Sequence, residues 1–162
     1  DIALLKRVLP FDDHDFYVCG PAAMTQYLYD GLRGMRIPDD RIRAEAFGPS
    51  ALKRRPDPGT PAPAPLPAAA RSSVRVVFAR SAKEARWQPG SGTLLELAES
   101  RGLSPEFSCR GGSCGTCKAR VLEGKVTYAE RPSAEHAEDE ALICCAVPAE
   151  TEGGEAGLVL EV

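Results

Sequence analysis

The sequence predicts an α+β fold in two parts, and the order of its local patterns supports this division. Residues 1–48 alternate helix and strand patterns, whereas residues 73–162 combine short strands with a helix. The composition, with 43% hydrophobic and 27% charged residues, is that of a globular protein. The net charge of −3 comes from mixed acidic and basic residues, which indicates neither nucleic-acid binding nor attraction to an anionic membrane.

The first part predicts two helices and two strands in alternation. Apolar residues indicate the end of an amphipathic helix at 2–9, and a short apolar strand follows at 16–19. A Gly-Pro turn at 20–21 opens a second helix, which is expected to end at Gly34. A second strand is expected at 41–47. This order is typical of a parallel α/β sheet.

Residues 49–72 contain seven prolines and show no hydrophobic periodicity. Because proline cannot donate a backbone hydrogen bond, this composition predicts a semi-rigid linker that is partly polyproline II. The sequence therefore predicts a domain at residues 1–48, a linker at 49–72 and a second domain at 73–162.

The second domain begins with a predicted hairpin, formed by strands at 74–79 and 85–88. Thr93 and Glu96 form a capping box that opens a helix, and Gly102 ends it. Further short strands are expected at 119–122, 125–127, 141–147 and 158–162. Two strands, a helix, a loop and further short strands give the order of a β-grasp domain.

Six cysteines are present, and three of them lie at Cys109, Cys114 and Cys117. Their C-x₄-C-x₂-C spacing is that of plant-type [2Fe–2S] ferredoxins, which need a fourth cysteine further along the chain. A zinc site and a disulfide-bonded loop are the alternatives. Zinc sites usually pair two short Cys/His knuckles, and no second knuckle is found in this sequence. Because no export signal or long apolar run is found either, we expect a cytoplasmic protein that binds metal through these thiols.

The residues between these cysteines suit an anionic cluster. Glycine allows the chain to turn tightly around sulfur and to direct backbone N–H groups inward, and hydroxyl groups add further donors. Arg110 contributes a positive charge close to the cluster. The predicted cofactor-binding residues of this loop are Arg110, Gly111, Gly112, Ser113, Gly115 and Thr116.

Two adjacent cysteines, Cys144 and Cys145, are candidates for the fourth ligand. If they lie on the strand predicted at 141–147, their side chains point to opposite faces, and only one can reach the cluster. The local spacing does not choose between them. His14 and His136 lie in acidic, polar surroundings and are expected to be solvated.

Residues 73–162 resemble the C-terminal ferredoxin module of flavin-dependent oxygenase reductases of the phthalate dioxygenase reductase and vanillate demethylase reductase kind. The resemblance rests on the cysteine spacing, on the segment Leu-Ile-Cys-Cys-Ala-Val-Pro at 142–148 and on the closing strand at 158–162. It implies that Cys144 is the fourth ligand, beside Cys109, Cys114 and Cys117.

Residues 15–48 resemble the last strand, turn and helix of the NAD(P)H-binding domain in the ferredoxin-NADP reductase superfamily. The resemblance rests on Asp-Phe-Tyr-Val-Cys-Gly-Pro at 15–21 and on Glu-Ala-Phe at 45–47. In that family the Cys-Gly-Pro turn lies beside the nicotinamide. The residues implied at the nucleotide site are Cys19, Gly20, Pro21, Glu45 and Phe47.

The two resemblances together imply electron transfer from NAD(P)H, through FMN or FAD and a [2Fe–2S] cluster, to a redox acceptor. Because no flavin-binding barrel is found, the chain is expected to be the C-terminal part of a reductase and, alone, only an electron-transfer module. The expected partners are an upstream flavin domain of the same polypeptide and an acceptor such as an oxygenase or a fused catalytic domain. The alternatives are a stand-alone [2Fe–2S] carrier with an N-terminal extension and an iron–sulfur redox sensor.

Overall fold

The computed structural model describes residues 1–9, 13–46, 52–61, 64–151 and 157–162. Over these ranges the chain divides into two compact units, Asp1–Ala64 and Pro65–Val162. Helices occur together with parallel and antiparallel strand pairs, which confirms the α+β class. None of the helices in these ranges is long and apolar enough to cross a membrane.

The first unit contains helices and strands in the predicted order. Their bounds are α1 Ile2–Val8, β1 Phe16–Gly20, α2 Ala22–Gly34 and β2 Ile42–Ala46. As predicted, β1 and β2 pair in parallel. Tyr29 and Leu32 lie on one face of α2 because they are three residues apart, and they pack against Val18 of β1 and Ile42 of β2.

The second unit has a mixed sheet with a helix packed on it. Its elements are β3 Val74–Phe78, β4 Lys83–Trp87, α3 Leu94–Ser100, β5 Lys118–Glu123, β6 Val126–Tyr128, β7 Glu140–Leu142, β8 Ala146–Pro148 and β9 Leu158–Leu160. In the described residues the main sheet has the order β4-β3-β9-β5-β7, and β6 pairs with β8. The pair β3–β9 is parallel and the other pairs are antiparallel. The predicted β3–β4 hairpin is therefore confirmed.

The helix α3 begins and ends as the sequence predicts. Thr93 and Glu96 form the capping box, in which each side chain accepts a hydrogen bond from the other residue's backbone N–H. Gly102 follows the helix with φ +68°, a left-handed conformation that glycine adopts easily. The N–H of Leu95 donates to the carbonyl of Ile143 at 2.8 Å. This hydrogen bond joins the first turn of α3 to the segment that carries Cys144.

The prediction of one strand at 141–147 is wrong. The chain forms β7 and β8, which pair with different strands, and residues 143–145 form a turn between them. The N–H of Cys145 donates to the carbonyl of Leu142 at 3.1 Å across this turn. Because residues 141–144 are all buried, their apolar run predicts one continuous strand, although the chain changes the strand with which it pairs within this run.

Parts of the predicted linker, residues 49–72, lie outside the described residues. The described portions contact the two units. In the first unit Asp57 forms an ion pair with Arg33 of α2 at 2.5 Å, and in the second unit the N–H of Ala70 donates to the carbonyl of Pro148 at 2.9 Å. The domain and linker limits given above remain predictions.

Candidate metal centre

The cysteine loop, residues 106–117, connects α3 to β5 without regular secondary structure. Gly112 and Gly115 have φ values of +71° and +75°, where a side chain would be strained. Gly112 is also tightly enclosed, since a Cβ atom built on it would lie 2.8 Å from both the Sγ of Cys145 and the Cβ of Pro132. Only glycine fits this position without displacing its neighbours.

Arg110 is the third residue of the loop with a left-handed conformation, at φ +52°. Its guanidinium forms an ion pair with Glu99 at the end of α3 and lies 4.0 Å from the centroid of the Phe107 ring. This backbone conformation is sterically unfavourable for an arginine, and the two side-chain contacts stabilise Arg110 in it.

Backbone N–H groups of the loop point at cysteine sulfur atoms. The N–H groups of Gly111, Ser113 and Cys114 donate to the Sγ of Cys109 at 3.4, 3.3 and 3.4 Å. The N–H of Thr116 donates to the Sγ of Cys114 at 3.5 Å. Burial raises the pKa of Cys109, but hydrogen bonds from Ser113 and Gly111 outweigh it and lower the pKa to about 7. The loop therefore stabilises a thiolate at this position.

Cys117 and Cys144 form a second pair of thiols. Both are buried, with exposed fractions of 3% and 5%, and the N–H of Ile143 donates to the carbonyl of Cys117 at 3.3 Å. A hydrogen bond from the Cys117 thiol lowers the pKa of Cys144, and the same contact raises the pKa of Cys117. The backbone N–H of Gly112 also lowers the pKa of Cys144. Cys144 therefore lies near Cys117, at the end of the cysteine loop, and near Gly112, at its centre.

Cys145 occupies a different position in the same turn. Its Sγ lies against Gly112 and donates to the carbonyl of Leu142 at 3.5 Å. The neighbouring Cys144 sulfur, together with burial, raises the pKa of Cys145. Cys144 is the residue of this pair whose pKa is lowered mainly by the Cys117 thiol, and the N–H of the preceding Ile143 donates to the Cys117 carbonyl. This arrangement favours Cys144 over Cys145 as the fourth ligand.

The predicted nucleotide site is partly described. Cys19 is exposed on β1 and lies opposite Glu45 on β2, so the parallel pairing brings these two residues together. Gly20 is in close contact with Met24, because a Cβ atom built on it would lie 2.0 Å from the Met24 Cε. Pro21 is the N-cap of α2. The predicted site residue Phe47 lies outside the described residues.

A family model described as a 2Fe-2S iron-sulfur cluster binding domain matches residues 77–149. This range includes the cysteine loop together with Cys144 and Cys145. Residues 77–149 are a 2Fe-2S cluster binding domain. The cofactor expected from the cysteine spacing is therefore confirmed.

Curated relatives extend the similarity beyond the 2Fe-2S domain. The chain is 31% identical over 147 residues to the ferredoxin reductase component of a 3-ketosteroid-9-alpha-monooxygenase from Mycobacterium tuberculosis H37Rv, covering 87% of this chain. It is 34% identical over 139 residues to a tetrachlorobenzoquinone reductase from Sphingobium chlorophenolicum, covering 83% of this chain. The chain spans 38% of the length of each of these relatives.

Solved structures show the same fold over the whole chain. Phthalate dioxygenase reductase, described as a modular structure for electron transfer from pyridine nucleotides to [2Fe–2S], matches 99% of this chain and 43% of its own length. The identity is 20% and the TM-score is 0.56. An intact type IV self-sufficient cytochrome P450 monooxygenase matches 100% of this chain and 19% of its own length, with 23% identity and a TM-score of 0.55.

The thiols of the 2Fe-2S domain fit the cluster. A [2Fe–2S] cluster takes two thiolates on each iron. The structure provides two pairs, Cys109 with Cys114 and Cys117 with Cys144, and directs backbone N–H groups at the sulfur atoms of the first pair. Among the described residues no group of three or more His, Cys, Asp or Glu side chains could hold one metal ion. The identity of the four ligands remains a prediction.

Some contacts around the 2Fe-2S site could not be found by sequence reasoning. His136 was expected to be solvated, but it is half-buried and its ring contacts Tyr128. Its ring partner Tyr128 is the last residue of β6, and the sequence does not indicate that the loop of His136 approaches this strand. The contact between Glu99 and Arg110 could have been predicted from the sequence. An acidic residue in the last turn of a helix is unfavourable unless a nearby cation compensates its charge.

Proposed function

We propose that this chain is the C-terminal part of an NAD(P)H-dependent oxidoreductase that passes electrons through flavin and a [2Fe–2S] cluster to an acceptor. The observation that carries the proposal is the paired arrangement of four thiols in and beside a loop whose N–H groups point at sulfur. Such donors stabilise an anionic cluster that is shielded from water.

Cys109 and Cys114 hold one iron in this proposal, and Cys117 and Cys144 hold the other. When bound, the cluster accepts and releases one electron at a time, at about −400 mV for the plant-type class. The surrounding protein tunes this potential through hydrogen bonds to sulfur and through nearby charge. The residues with this role are Arg110, Gly111, Gly112, Ser113, Gly115 and Thr116.

The two iron positions differ in their access to an acceptor. Cys114 is exposed, whereas Cys117 and Cys144 are buried in the core of the second unit. Phe107, near the start of the same loop, is 41% exposed. We infer that the acceptor approaches the side of the loop that carries Cys114, because the path through protein is shortest there.

The first unit contributes the nicotinamide side of the proposal. Cys19 and Gly20 are the last two residues of the parallel strand β1, and Pro21 is the N-cap of α2. The carboxyl ends of parallel strands are where open α/β sheets bind nucleotides. Glu45 lies opposite Cys19 on the neighbouring strand. We assign these four residues and Phe47 to the NAD(P)H site by resemblance.

The proposed partners are a flavin domain, with FMN or FAD, earlier in the same polypeptide and an acceptor such as an oxygenase or a fused catalytic domain. The ferredoxin reductase component of a monooxygenase among the relatives supports an oxygenase acceptor. A cytoplasmic location, where thiols remain reduced, suits a cysteine loop of this kind.

The ligand set is tested by metal analysis of single variants. The purified chain should contain about two iron and two acid-labile sulfide, with the visible bands of a [2Fe–2S] cluster. Cys144→Ser should lose these bands, and Cys145→Ser, the matched control, should keep them. The reverse result would transfer the ligand role to Cys145, and one zinc without sulfide would refute the iron–sulfur assignment.

The reductase role is tested by expressing the complete open reading frame, which this proposal expects to encode an upstream flavin domain. Anaerobic addition of NADH or NADPH should bleach the cluster of the longer protein through its flavin, but not that of the present chain alone. A longer protein without bound flavin would instead support a stand-alone carrier. A reduction potential far above the ferredoxin range would support a redox sensor.

A further inference from the structure

The segment between β6 and β7, residues 129–139, lies against the cysteine loop although its sequence is polar. Within it, residues 132–136 alternate between half-buried and exposed side chains, and we call these five residues the cover segment. The carbonyl of Gly112 accepts hydrogen bonds from the N–H groups of Ser133 and Ala134 at 3.1 and 3.0 Å. The cover segment is therefore bonded to the centre of the cysteine loop.

The side chain of His136 connects the cover segment to Tyr128. Its Nδ1 lies 3.1 Å from the carbonyl oxygen of Ala134, and its Nε2 lies 3.4 Å from the hydroxyl oxygen of Tyr128. The two rings meet edge to face, with centroids 5.7 Å apart. Tyr128 is 8% exposed, and its hydroxyl oxygen accepts a hydrogen bond from the N–H of Leu142 at 3.2 Å.

The donor and acceptor capacities of these groups allow one consistent placement of the hydrogen atoms in this network. The N–H of Leu142 can only donate, so the hydroxyl of Tyr128 accepts it and uses its own hydrogen for His136. The carbonyl of Ala134 can only accept, so Nδ1 of His136 carries the hydrogen and Nε2 accepts from Tyr128. Every member of the network then has a partner.

Each end of this network lies in a segment that carries predicted ligands. Leu142 is two residues before Cys144, and Gly112 lies between Cys109 and Cys114. We propose that Tyr128 and His136 are positioning residues that fix the cysteine loop against the turn of Cys144, and so set the retention and reduction potential of the cluster. The inference rests on the ligand set proposed above.

The direction of the effect follows from the charge of the cluster. Reduction adds negative charge, which N–H groups directed at sulfur stabilise. If the cover segment loosens, Gly112 is no longer held, and the N–H groups of Gly111 and Ser113 on either side of it are directed less well at the sulfur of Cys109. The potential should then become more negative, and the cluster should be lost faster.

The test compares Tyr128→Phe, His136→Ala and the double variant in the full chain carrying its cluster. Glu135→Asp is the matched control, because it changes an exposed side chain of the same segment and conserves charge. The readouts are the reduction potential from a dye-mediated titration and the half-time of cluster loss in a chelator. Each single variant should lose the cluster roughly fivefold faster, as expected for one net hydrogen bond, with a more negative potential. The control should match the unaltered chain.

The double variant distinguishes a joint positioning role of Tyr128 and His136 from independent packing effects of the two side chains. Because the two side chains act as one network, the double variant should be no worse than the more affected single variant. Additive effects, or single variants with unchanged potential and cluster loss, would overturn the proposal. Tyr128→Phe keeps its ring and decides the matter if His136→Ala does not fold. An unaltered chain without a cluster would refute the proposed function, not this inference.

Discussion

Replacement of Gly112 by alanine measures how tightly the cysteine loop is closed. At φ +71° this residue has a backbone conformation that alanine adopts only with strain. The added Cβ atom would also lie 2.8 Å from the Cys145 Sγ and from the Pro132 Cβ. We therefore expect two separate costs, one from the backbone and one from the clash.

Two other glycines of the second unit allow these costs to be separated. Gly90 has φ +80° with nothing within 4 Å of the built Cβ atom, so Gly90→Ala carries only the backbone cost. Gly115 has φ +75° with ordinary contacts of 3.4 and 3.7 Å, which gives the same expectation within the cysteine loop itself. The backbone cost is about 1–2 kcal/mol, and overpacking adds about 1–3 kcal/mol at Gly112 alone.

The assay follows thermal unfolding of the cluster-loaded chain and its iron content. Gly90→Ala should lower the midpoint by several degrees at full iron content, because about 1 kcal/mol corresponds to roughly 4–8 °C in a domain of this size. Gly112→Ala should lower it further and reduce the iron content, and Gly115→Ala should fall near Gly90→Ala. A Gly112→Ala protein as stable and as well loaded as Gly90→Ala would refute the close packing of Gly112.

Two further predictions concern the packing of each unit. Trp87→Phe removes the hydrogen bond from Nε1 to the carbonyl of Gly92, 2.8 Å long, and should cost about 1 kcal/mol in the unfolding free energy of the second unit without loss of iron. In the first unit, the N–H of Asp39 and the guanidinium of Arg33 lower the pKa of Asp57. A lowered pKa stabilises the folded state above the unfolded pKa, and this stabilisation is lost as the pH falls through the folded value. Asp57→Asn removes this stabilisation and should therefore expose the adjacent basic residues to faster trypsin cleavage at pH 8. An unchanged cleavage rate would contradict the stabilising role of the ion pair between Asp57 and Arg33.

Local patterns predicted most of the elements because each depends on neighbours in the sequence. The capping box at Thr93 and the glycine that ends α3 require only residues within one or two helical turns. The cysteine spacing was informative for the same reason, since three predicted ligands and their N–H donors lie in one loop. The local spacing did not choose between Cys144 and Cys145, because that choice depends on which sulfur lies near Cys117, and only the family resemblance implied Cys144.

The strand at 141–147 shows where local patterns fail. Burial on both faces gives a continuous apolar run, and such a run contains no period that marks a turn. The turn at 143–145 arises because β7 pairs with β5 and β8 pairs with β6. It also places Cys144 and Cys145 on a bend, where alternation of side chains along a strand does not apply. The prediction for His136 was wrong for a related reason, since His136 lies in a loop and its partner Tyr128 is on strand β6.

The proline-rich segment was predicted from composition, which cannot show what its charged residues contact. Asp57 is bonded to Arg33, and Leu66 packs against the core of the second unit. Composition predicts a separate linker, whereas each of these two described residues belongs to the packing of one unit. The extent of a proline-rich linker therefore depends on the side chains that its charged and apolar residues meet, which the sequence pattern alone does not indicate.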